Sequence, residues 1–549
     1  MRLALHSAIL AGMENKRKSS FIRGAAILAA AGILCKIIGV LFHPLAYDIL
    51  GEVGKDYYDV VFPFYSWLLI ISSSGIPIAI SRLVAERVSL GDKAAARKVF
   101  TKSLWLMVGI GIVTTAVLFF GAEFLAIDIA GRDASYARSF QALAPALFFV
   151  SILCAFRGYL QGIQRMMGTA VSQIVEQVIK LVFALWLARL WLPMGLEWAA
   201  AGMLVGVTIS EAAALLLIYF FYLANRKSLR DTPLADPNPA LQTGILKKLL
   251  LIAVPIILGA SIIPITGMID VALIKRLLSE YMTEEAAQRC FVILSTNVRS
   301  LINLPASITV ALAMSLVPAL TAARARADAD TVQSVARMGL KLSMVIGLPC
   351  AVGLFVLGGP IIHMLFPRIP PESLELATNL MRFASITVIF ISMVQTTSGA
   401  LQGLGKQRLP VYFLLVGGVV KVASGYFLLR IPEVNIYGAP VSNILCYAAA
   451  GILNTVFLAR AVKMEKLGWD VFGKPALASL ALGVLLFFGY EVLYKLYPGS
   501  LVTVIMVVVG IIVYFVLALA LRMFTPREWA YIPGGKAIAR RMQRNAGKP

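Results

Sequence analysis

The feature that most constrains this chain is a succession of about fourteen long apolar segments. A helix needs about 20 apolar residues to cross a hydrocarbon layer about 30 Å thick, and each segment approaches or exceeds that length. Hydrophobic residues make up 59% of the 549 residues and charged residues only 14%. Soluble domains are about half apolar and a quarter charged. We therefore predict an all-α polytopic membrane protein of about fourteen transmembrane helices and exclude a soluble enzyme. The segments are roughly 21–46, 58–81, 103–122, 139–164, 170–192, 198–224, 249–274, 290–321, 342–362, 376–402, 409–430, 436–459, 475–494 and 500–521.

The net charge of +22 follows the alternation of these segments. Of the 50 basic residues, 34 lie in the stretches on the side of the N-terminus and 11 in the stretches on the opposite side. Cytoplasmic loops carry such an excess of Lys and Arg. We therefore place both termini in the cytoplasm, which requires an even number of helices. No nucleic-acid-binding module is visible, so we expect no nucleic-acid partner.

Chemical motifs are scarce. The five cysteines are odd in number, widely spaced and mostly inside apolar segments, so they indicate small core residues rather than disulfides. No metal-ligand spacing and no phosphate-binding GxxxxGK[ST] loop occurs in the sequence. We therefore expect no catalytic residues, no cofactor and no metal. A multi-span chain of this kind is most simply a secondary transporter or a channel.

An internal repeat favours a transporter. A shift of about 241 residues aligns a Gly-x-Leu-Gln-Gly motif at 158–162 with its copy at 399–403, and it aligns Lys180 with Lys421. The shift spans an even number of helices, so both copies have the same orientation. The predicted organisation is a cytoplasmic N-terminal segment 1–20, a six-helix bundle 21–224, a cytoplasmic linker 225–248, a second six-helix bundle 249–462, two further helices within 475–521 and a basic cytoplasmic tail 522–549.

A family resemblance rests on a set of short motifs spread over about residues 20–465. As a set they resemble the SpoVB/YtgP branch of the MurJ-like flippases, which belong to the multidrug/oligosaccharidyl-lipid/polysaccharide exporter superfamily. The resemblance implies a fourteen-helix fold and outward flipping of a lipid-linked cell-wall precursor in the bacterial plasma membrane. It also implies that the last two helices offer a groove for the polyprenyl tail. The motifs are Phe21–Gly24, Lys36–Gly39, Ser73–Arg82, Arg157–Gly162, Asn303–Pro305 and Ser315–Pro318.

The resemblance carries over some substrate-binding residues. Lys36 matches the first basic residue of helix one, and His43 falls near a second basic position of that helix, where many relatives in this branch have arginine. Arg299 lies near the family's helix-eight arginine, one residue out of register relative to Pro305. The basic pair that MurJ has in helix two corresponds to leucines here, so nothing transfers to those positions.

Charges inside the apolar segments indicate a site independently of the resemblance. A charge at mid-bilayer costs about 2.5–3.5 kcal/mol even on the lenient insertion scale, so such groups usually face a cavity or a partner. Glu176 stands four residues before Lys180, which predicts a local ion pair. Lys421 has Gly417 at that position, so its partner must come from another helix, water or substrate. Arg157 either binds substrate or extends to the interface.

Two further acidic residues, Glu211 and Asp270, are predicted to pair with these cations or to bind a coupling cation. For Asp270, an external-interface position beside Lys275 and Arg276 is an equal alternative. Transport coupled to the membrane potential or to a monovalent cation is the expected energy source.

The leading hypothesis is an alternating-access flippase that moves a polyprenyl-pyrophosphate-linked precursor, lipid II, to the outer leaflet for peptidoglycan or spore-cortex synthesis. The expected partners are this glycan lipid and the bilayer, and the sequence is compatible with a monomer. The alternatives are an exporter of another lipid-linked polysaccharide unit, a cation-coupled multidrug antiporter of the same superfamily, and a scaffold that transports nothing.

Overall fold

The computed structural model describes residues 2–230, 243–464 and 468–525, and the regular elements over those ranges are helices without strands. The chain divides into two compact units, Met1–Arg276 and Leu277–Pro549. The predicted all-α fold is therefore confirmed. The division falls near the end of a helix rather than in the predicted linker 225–248, of which residues 231–242 lie outside the described residues, as does most of the predicted tail 522–549. The grouping into two six-helix bundles stays a prediction.

Fifteen helices of nine or more residues account for most of the described chain. The first unit contains α1 Arg2–Ser73, α2 Gly75–Ser89, α3 Lys93–Phe120, α4 Ala137–Gly162, α5 Met166–Trp191, α6 Leu196–Arg230 and nearly all of α7 Ile245–Leu278. The second unit contains α8 Glu284–Val292, α9 Arg299–Ala325, α10 Ala329–Leu365, α11 Pro371–Gly403, α12 Arg408–Leu428, α13 Gly438–Ala461, α14 Lys474–Leu496 and α15 Ser500–Ala520. Shorter helical segments are Ala122–Phe124, Leu125–Ile129, Ala134–Tyr136, Leu192–Met194, Ile293–Val298, Asn435–Tyr437 and Trp469–Gly473.

The first helix is interrupted at Gly51, whose backbone has φ 63° and ψ −168°. Glycine adopts this conformation without the steric cost that a side chain would add. Helical geometry continues on both sides of the break, so residues 47–57, which separate the first two predicted segments, are helical as well. The hydrophobic pattern did not predict a helix there, because a helix whose charged residues are buried by neighbouring helices has the same amino-acid composition as a solvated loop.

Thirteen helical stretches of the described chain are long and apolar enough to cross a membrane. The first, Ala30–Ser89, has 60 residues, which at 1.5 Å per residue is about three times the hydrocarbon thickness. The break at Gly51 divides it into two limbs that are each long enough to cross. The prediction of a multi-pass membrane protein is confirmed. The count of fourteen and the cytoplasmic termini stay predictions.

Large apolar side chains lie on the outside of the fold. Trp105 is 71% exposed and Phe120 is 84% exposed on α3, and α14 and α15 carry many more such residues. Contiguous exposed apolar surface of this extent would aggregate in water. These faces are therefore lipid-facing surface.

Close helix contacts recur in both units. A Cβ atom on Gly158 of α4 would lie 2.8 Å from the Pro77 carbonyl oxygen of α2, and one on Gly399 of α11 would lie 2.7 Å from the Ala313 carbonyl oxygen of α9. Small residues at such positions let helix backbones approach closely, as in other membrane bundles. The motif that revealed the repeat in the sequence is thus a packing motif.

A second glycine contact occurs in both units, between α3 and α4 in the first and between α10 and α11 in the second. A Cβ atom on Gly111 of α3 would lie 3.1 Å from the Cβ atom of Ser151 on α4, and one on Gly347 of α10 would lie 3.1 Å from the Cβ atom of Ser392 on α11. Ser151 and Ser392 are separated by the shift that aligns the two motifs. The central helices α4 and α11 therefore use equivalent residues to contact equivalent neighbours.

Candidate substrate site in the membrane interior

The two limbs of α1 contribute basic residues to the first unit. Lys36 is exposed on the first limb, whereas His43 is half-buried further along it. The imidazole of His43 makes edge contacts with Phe42 and Tyr58, at ring-centroid distances of 5.9 and 6.4 Å, and its Nδ1 has no hydrogen-bond partner within the described chain. The environment of His43 is thus largely aromatic.

A second basic residue of α1 lies beyond Gly51. Lys55 is fully buried and forms an ion pair with Asp59 one turn later. Its Nζ also lies 4.2 Å from the centroid of the Tyr58 ring. Sequence reasoning missed this pair because it assigned Lys55 to an external loop. The signal that was present is the opposite charge of Lys55 and Asp59 at a spacing of four residues, which places both on one helix face.

Beside Lys55, a separate buried network ties α1 to the segment before α4. The guanidinium of Arg132 donates to both carboxylate oxygens of Asp56, at 2.9 and 3.1 Å, and the Tyr136 hydroxyl donates to the same carboxylate at 2.5 Å. Asp56 and Arg132 are both buried. This bidentate pair fixes the start of the second limb of α1 and therefore the position of Lys55.

An ion pair between two helices lies at the centre of the unit. Arg157 on α4 donates from Nη2 to Glu176 Oε2 on α5 at 2.8 Å, and its Nε donates to Ser172 Oγ at 3.1 Å. The two side chains are 11% and 15% exposed. Arg157 is therefore held by a carboxylate inside the fold and does not extend to the interface. The carboxylate of Glu176 binds this guanidinium directly, and its charge also acts on Lys180 one turn later. The pairing of Glu176 with Lys180 stays a prediction.

Lys180 lies among aromatic rings. Its Nζ is 5.1 Å from the centroid of the Phe42 ring and 5.8 Å from that of Phe62, both within the range of a cation–π interaction. Among the charged side chains that act on it are Glu176, Glu211, Lys55 and Lys36. Lys180 is thus the residue at which the charges of α1, α5 and α6 converge.

Glu211 on α6 completes the cluster. It is 6% exposed, and its Oε2 has no hydrogen-bond partner within the described chain. Glu176, Arg157 and Lys180 are its charged neighbours. A buried carboxylate oxygen without a partner is costly unless a ligand, water or proton satisfies it.

We call this group of seven charged residues the interior charge cluster. Its four cations exceed its three carboxylates by one, and two of those carboxylates are engaged in direct ion pairs. Lysine and arginine recognise phosphate through charge-assisted hydrogen bonds. The cluster is therefore suited to an anionic group. Its members are Lys36, Lys55, Asp59, Arg157, Glu176, Lys180 and Glu211.

The remaining predicted residues are not among the seven of this cluster. Asp270 is buried on α7. In the second unit, half-buried Arg299 begins α9 directly after the π-helical segment Ile293–Val298. Lys421 of α12 is 1% exposed and donates to Asn443 Oδ1 of α13 at 2.8 Å. Within the described chain, no three histidine, cysteine or acidic residues are grouped so as to hold a metal ion.

The two repeats differ in charge at equivalent positions. Applying the shift of the repeat to Arg157 and Glu176 gives Ser398 and Gly417. Gly417 instead permits a close helix contact, since a Cβ atom there would lie 2.5 Å from the Cys446 carbonyl oxygen. The second unit thus keeps the repeated lysine but not the charges that surround it in the first.

Comparison with known proteins identifies the family. Residues 21–324 match the family described as polysaccharide biosynthesis protein, which is more than half of the chain. The chain belongs to the polysaccharide biosynthesis protein family. Residues 255–427 also match the MatE family. The interior charge cluster lies wholly within the part of this family member that carries the first match.

Three curated relatives of this family member are from Bacillus subtilis (strain 168). Lipid II flippase MurJ is 25% identical over 80% of this chain and 83% of its own length. Uncharacterized membrane protein YabM is 26% identical over 95% of this chain and 96% of its own length, and Stage V sporulation protein B is 23% identical over 82% and 85%. The resemblance predicted from the motifs is confirmed, since these relatives include a lipid II flippase and a sporulation protein.

Solved structures share the fold. An inward-facing multidrug resistance MATE family transporter of the MOP superfamily has a TM-score of 0.66 at 15% identity, covering 78% of this chain and 94% of its own. Lipid II flippase MurJ in an inward closed conformation has a TM-score of 0.64 at 15% identity, covering 90% and 99%. This polysaccharide biosynthesis family member therefore has the fold of MOP-superfamily transporters and is a multi-pass protein of the plasma membrane.

Proposed function

We propose that this protein is an alternating-access flippase that moves a polyprenyl-pyrophosphate-linked cell-wall precursor, lipid II, from the cytoplasmic to the outer leaflet. The observation that carries the proposal is the interior charge cluster, in which exposed Lys36 joins three cations that lie within the fold, Lys55, Arg157 and Lys180. The three inner cations are balanced by three carboxylates, so the surplus positive charge is that of Lys36, which is open to a ligand. An anionic pyrophosphate would bind there through charge-assisted hydrogen bonds, and the likeness to lipid II flippase MurJ over 80% of the chain supports this substrate.

Different residues of the cluster have different roles in substrate binding. Lys180 and Lys36 have no carboxylate in a direct ion pair within the described chain, so they are the residues available to bind phosphate oxygens. Arg157 is engaged by Glu176 and positions α4 against α5. The sugar-peptide headgroup occupies the polar interior while the polyprenyl chain remains in lipid. Reopening toward the outer side then releases the headgroup.

A multidrug antiporter is the second candidate, because the solved MATE structures share this fold. The charge of the cluster disfavours it. A site for cationic drugs requires a surplus of carboxylates or an apolar cavity, whereas this one has a surplus of cations. Export of another lipid-linked polysaccharide unit uses the same phosphate chemistry and is separated from lipid II only by experiment.

Complementation tests the substrate. In cells depleted of their lipid II flippase, expression of this chain should restore growth and surface exposure of the precursor. Lys180→Ala should lower the flipping rate about 10- to 100-fold, because a hydrogen bond to a charged group contributes about 1.5–3 kcal/mol. Lys495→Ala, which removes an exposed lysine paired with Glu491, is the matched control. A well-expressed chain that fails to restore flipping contradicts the lipid II assignment.

We also propose that the membrane potential drives transport. An interior-negative potential favours outward movement of negative charge by about 2.3 kcal/mol per charge and 100 mV. Purified protein in vesicles, with the potential set by a potassium gradient and valinomycin, should therefore flip the precursor faster toward the positive side. Equal rates at zero and about −100 mV would exclude the potential as the driving force and favour a coupling cation.

A further inference from the structure

At one end of the second unit, three cations converge on a single carboxylate. Asp470 lies in the short segment before α14, where Lys474 Nζ contacts its Oδ1 at 2.8 Å and Arg337 Nη2 of α10 approaches its Oδ2 at 3.5 Å. Lys341, one turn further along α10, also acts on this carboxylate. The two cations in direct contact already exceed this carboxylate by one positive charge. The transport mechanism proposed above uses none of these residues.

A buried apolar cluster packs beside these cations. Lys341 Nζ lies 5.3 Å from the centroid of the Phe524 ring, and Phe524 packs with Met338 and Met523 between α10, α14 and α15. Trp469, beside the carboxylate, is 64% exposed. Tryptophan is enriched at the interface between lipid and water. The group therefore lies at headgroup depth, on the side that the charge distribution predicts to be cytoplasmic.

The chain that follows α15 does not balance this surplus. Residues 526–549, which come after the described residues, contain six basic residues and one acidic residue. The net charge of this tail is positive, so the tail does not neutralise the group. The cytoplasmic leaflet, by contrast, contains anionic lipids that attract basic residues at the membrane surface, and basic pockets between transmembrane helices bind such headgroups.

We propose that Arg337, Lys341 and Lys474 form a binding site for the phosphate headgroup of an anionic phospholipid of the cytoplasmic leaflet. The headgroup lies between α10 and the start of α14, and its acyl chains follow the exposed apolar faces of α14 and α15. Asp470 holds the cations in place when the lipid is absent and competes with the headgroup when it is present. The site requires no transport activity, so it stands or falls separately from the flippase proposal.

Lipid-dependent unfolding of the full chain tests the site. In detergent micelles, phosphatidylglycerol should raise the Tm of the wild-type protein, whereas phosphatidylcholine should not. Arg337→Gln and Lys474→Gln should each raise the lipid concentration for half the shift about fivefold, because a basic residue near the surface contributes about that factor. Both side chains are partly exposed, so neither substitution depends on repacking a core. Lys495→Gln is the control and should leave the response unchanged.

Removing the charge of Asp470 should have the opposite effect on lipid binding from removing one of the cations. Asp470→Asn should lower the phosphatidylglycerol concentration for half the shift, since the neutral amide no longer competes for the cations. Equal shifts with phosphatidylglycerol and phosphatidylcholine would overturn the proposal. So would a full shift with inorganic phosphate alone, which would mark a free-anion site, or an Asp470→Asn protein that binds the lipid more weakly than wild type.

Discussion

At the scale of single residues, the arrangement of charges in the interior depends on which carboxylate forms an ion pair with which cation. Glu176 is four residues from Lys180 in the sequence, yet its carboxylate binds Arg157 of another helix. The Nζ of Lys180 lies within cation–π range of Phe42 and Phe62 instead. The ion pair joins α4 to α5 and engages the carboxylate that the sequence spacing offers to Lys180.

Removing the carboxylate should reveal the structural part of that role. Glu176→Gln should lower the free energy of unfolding by about 3–5 kcal/mol, because it leaves a buried guanidinium without its counter-charge. Chemical unfolding of the full chain in micelles measures this change. The matched control is Glu197→Gln, which breaks the more exposed pair with Arg138 and should cost less than about 1 kcal/mol. Equal effects of the two substitutions would mean that the Arg157–Glu176 pair is effectively solvated.

At the scale of helices, the two units repeat a set of glycine contacts. α4 and α11 occupy equivalent positions, and Gly158 and Gly399 let each approach a neighbouring helix within van der Waals distance. The sequence motif alone did not distinguish a functional loop from a packing surface. Only the positions of Pro77 and Ala313 identify it as packing. The contacts are kept in both repeats because any side chain would separate the backbones, whereas the charges are free to differ.

Two adjacent glycines of α12 provide a matched test of helix packing. A Cβ atom on Gly417 would lie 2.5 Å from the Cys446 carbonyl oxygen of α13, whereas one on Gly418 would meet nothing within 4 Å. Gly417→Ala should therefore lower the free energy of unfolding by about 1–3 kcal/mol through overpacking. Gly418→Ala should be neutral or stabilising, since alanine favours the helix. Thermal unfolding in micelles compares them, and a less stable Gly418→Ala than Gly417→Ala protein would contradict this helix contact.

At the scale of the whole molecule, the distribution of basic residues predicts the orientation in the membrane. The surplus lies in alternate stretches of the chain, and this pattern needs the first limb of α1 and the second to cross separately. The break at Gly51 makes two crossings geometrically available. With the two limbs of α1 counted separately, the thirteen candidate stretches of the described chain would give fourteen crossings, the even number that the predicted orientation requires.

Labelling of single cysteines in intact cells tests this orientation. Asp133 and Arg326 are both exposed, and the prediction puts Asp133 outside and Arg326 in the cytoplasm. In a chain whose five native cysteines are replaced, a membrane-impermeant thiol reagent should label Asp133→Cys without permeabilisation. It should label Arg326→Cys only after permeabilisation. The reverse pattern would invert the predicted topology.

The sequence predicted the fold and the candidate site to different extents. The segment from 47 to 57 illustrates the limit for the fold, because its charges suggested a loop while Lys55 and Asp56 are buried in a helix. For the site, Lys36, Arg157, Glu176, Lys180 and Glu211 were identified as charges inside apolar segments and His43 through the family resemblance, and the structure places all six in one unit. Lys55 and Asp59 were missed. The roles of all these residues in transport stay predictions.

The sequence by itself determined the membrane class, the helical fold and the internal repeat, since each depends on hydrophobicity or residue spacing summed along the chain. Only the tertiary structure decided which charges meet, because the partner of a side chain depends on how one helix is rotated against another. A rotation of one residue, about 100°, turns a side chain from its neighbour to lipid. The rotation of one helix against another cannot be calculated from hydrophobicity or spacing along the sequence. For this reason only the packed positions of α4 and α5 show that Glu176 binds Arg157.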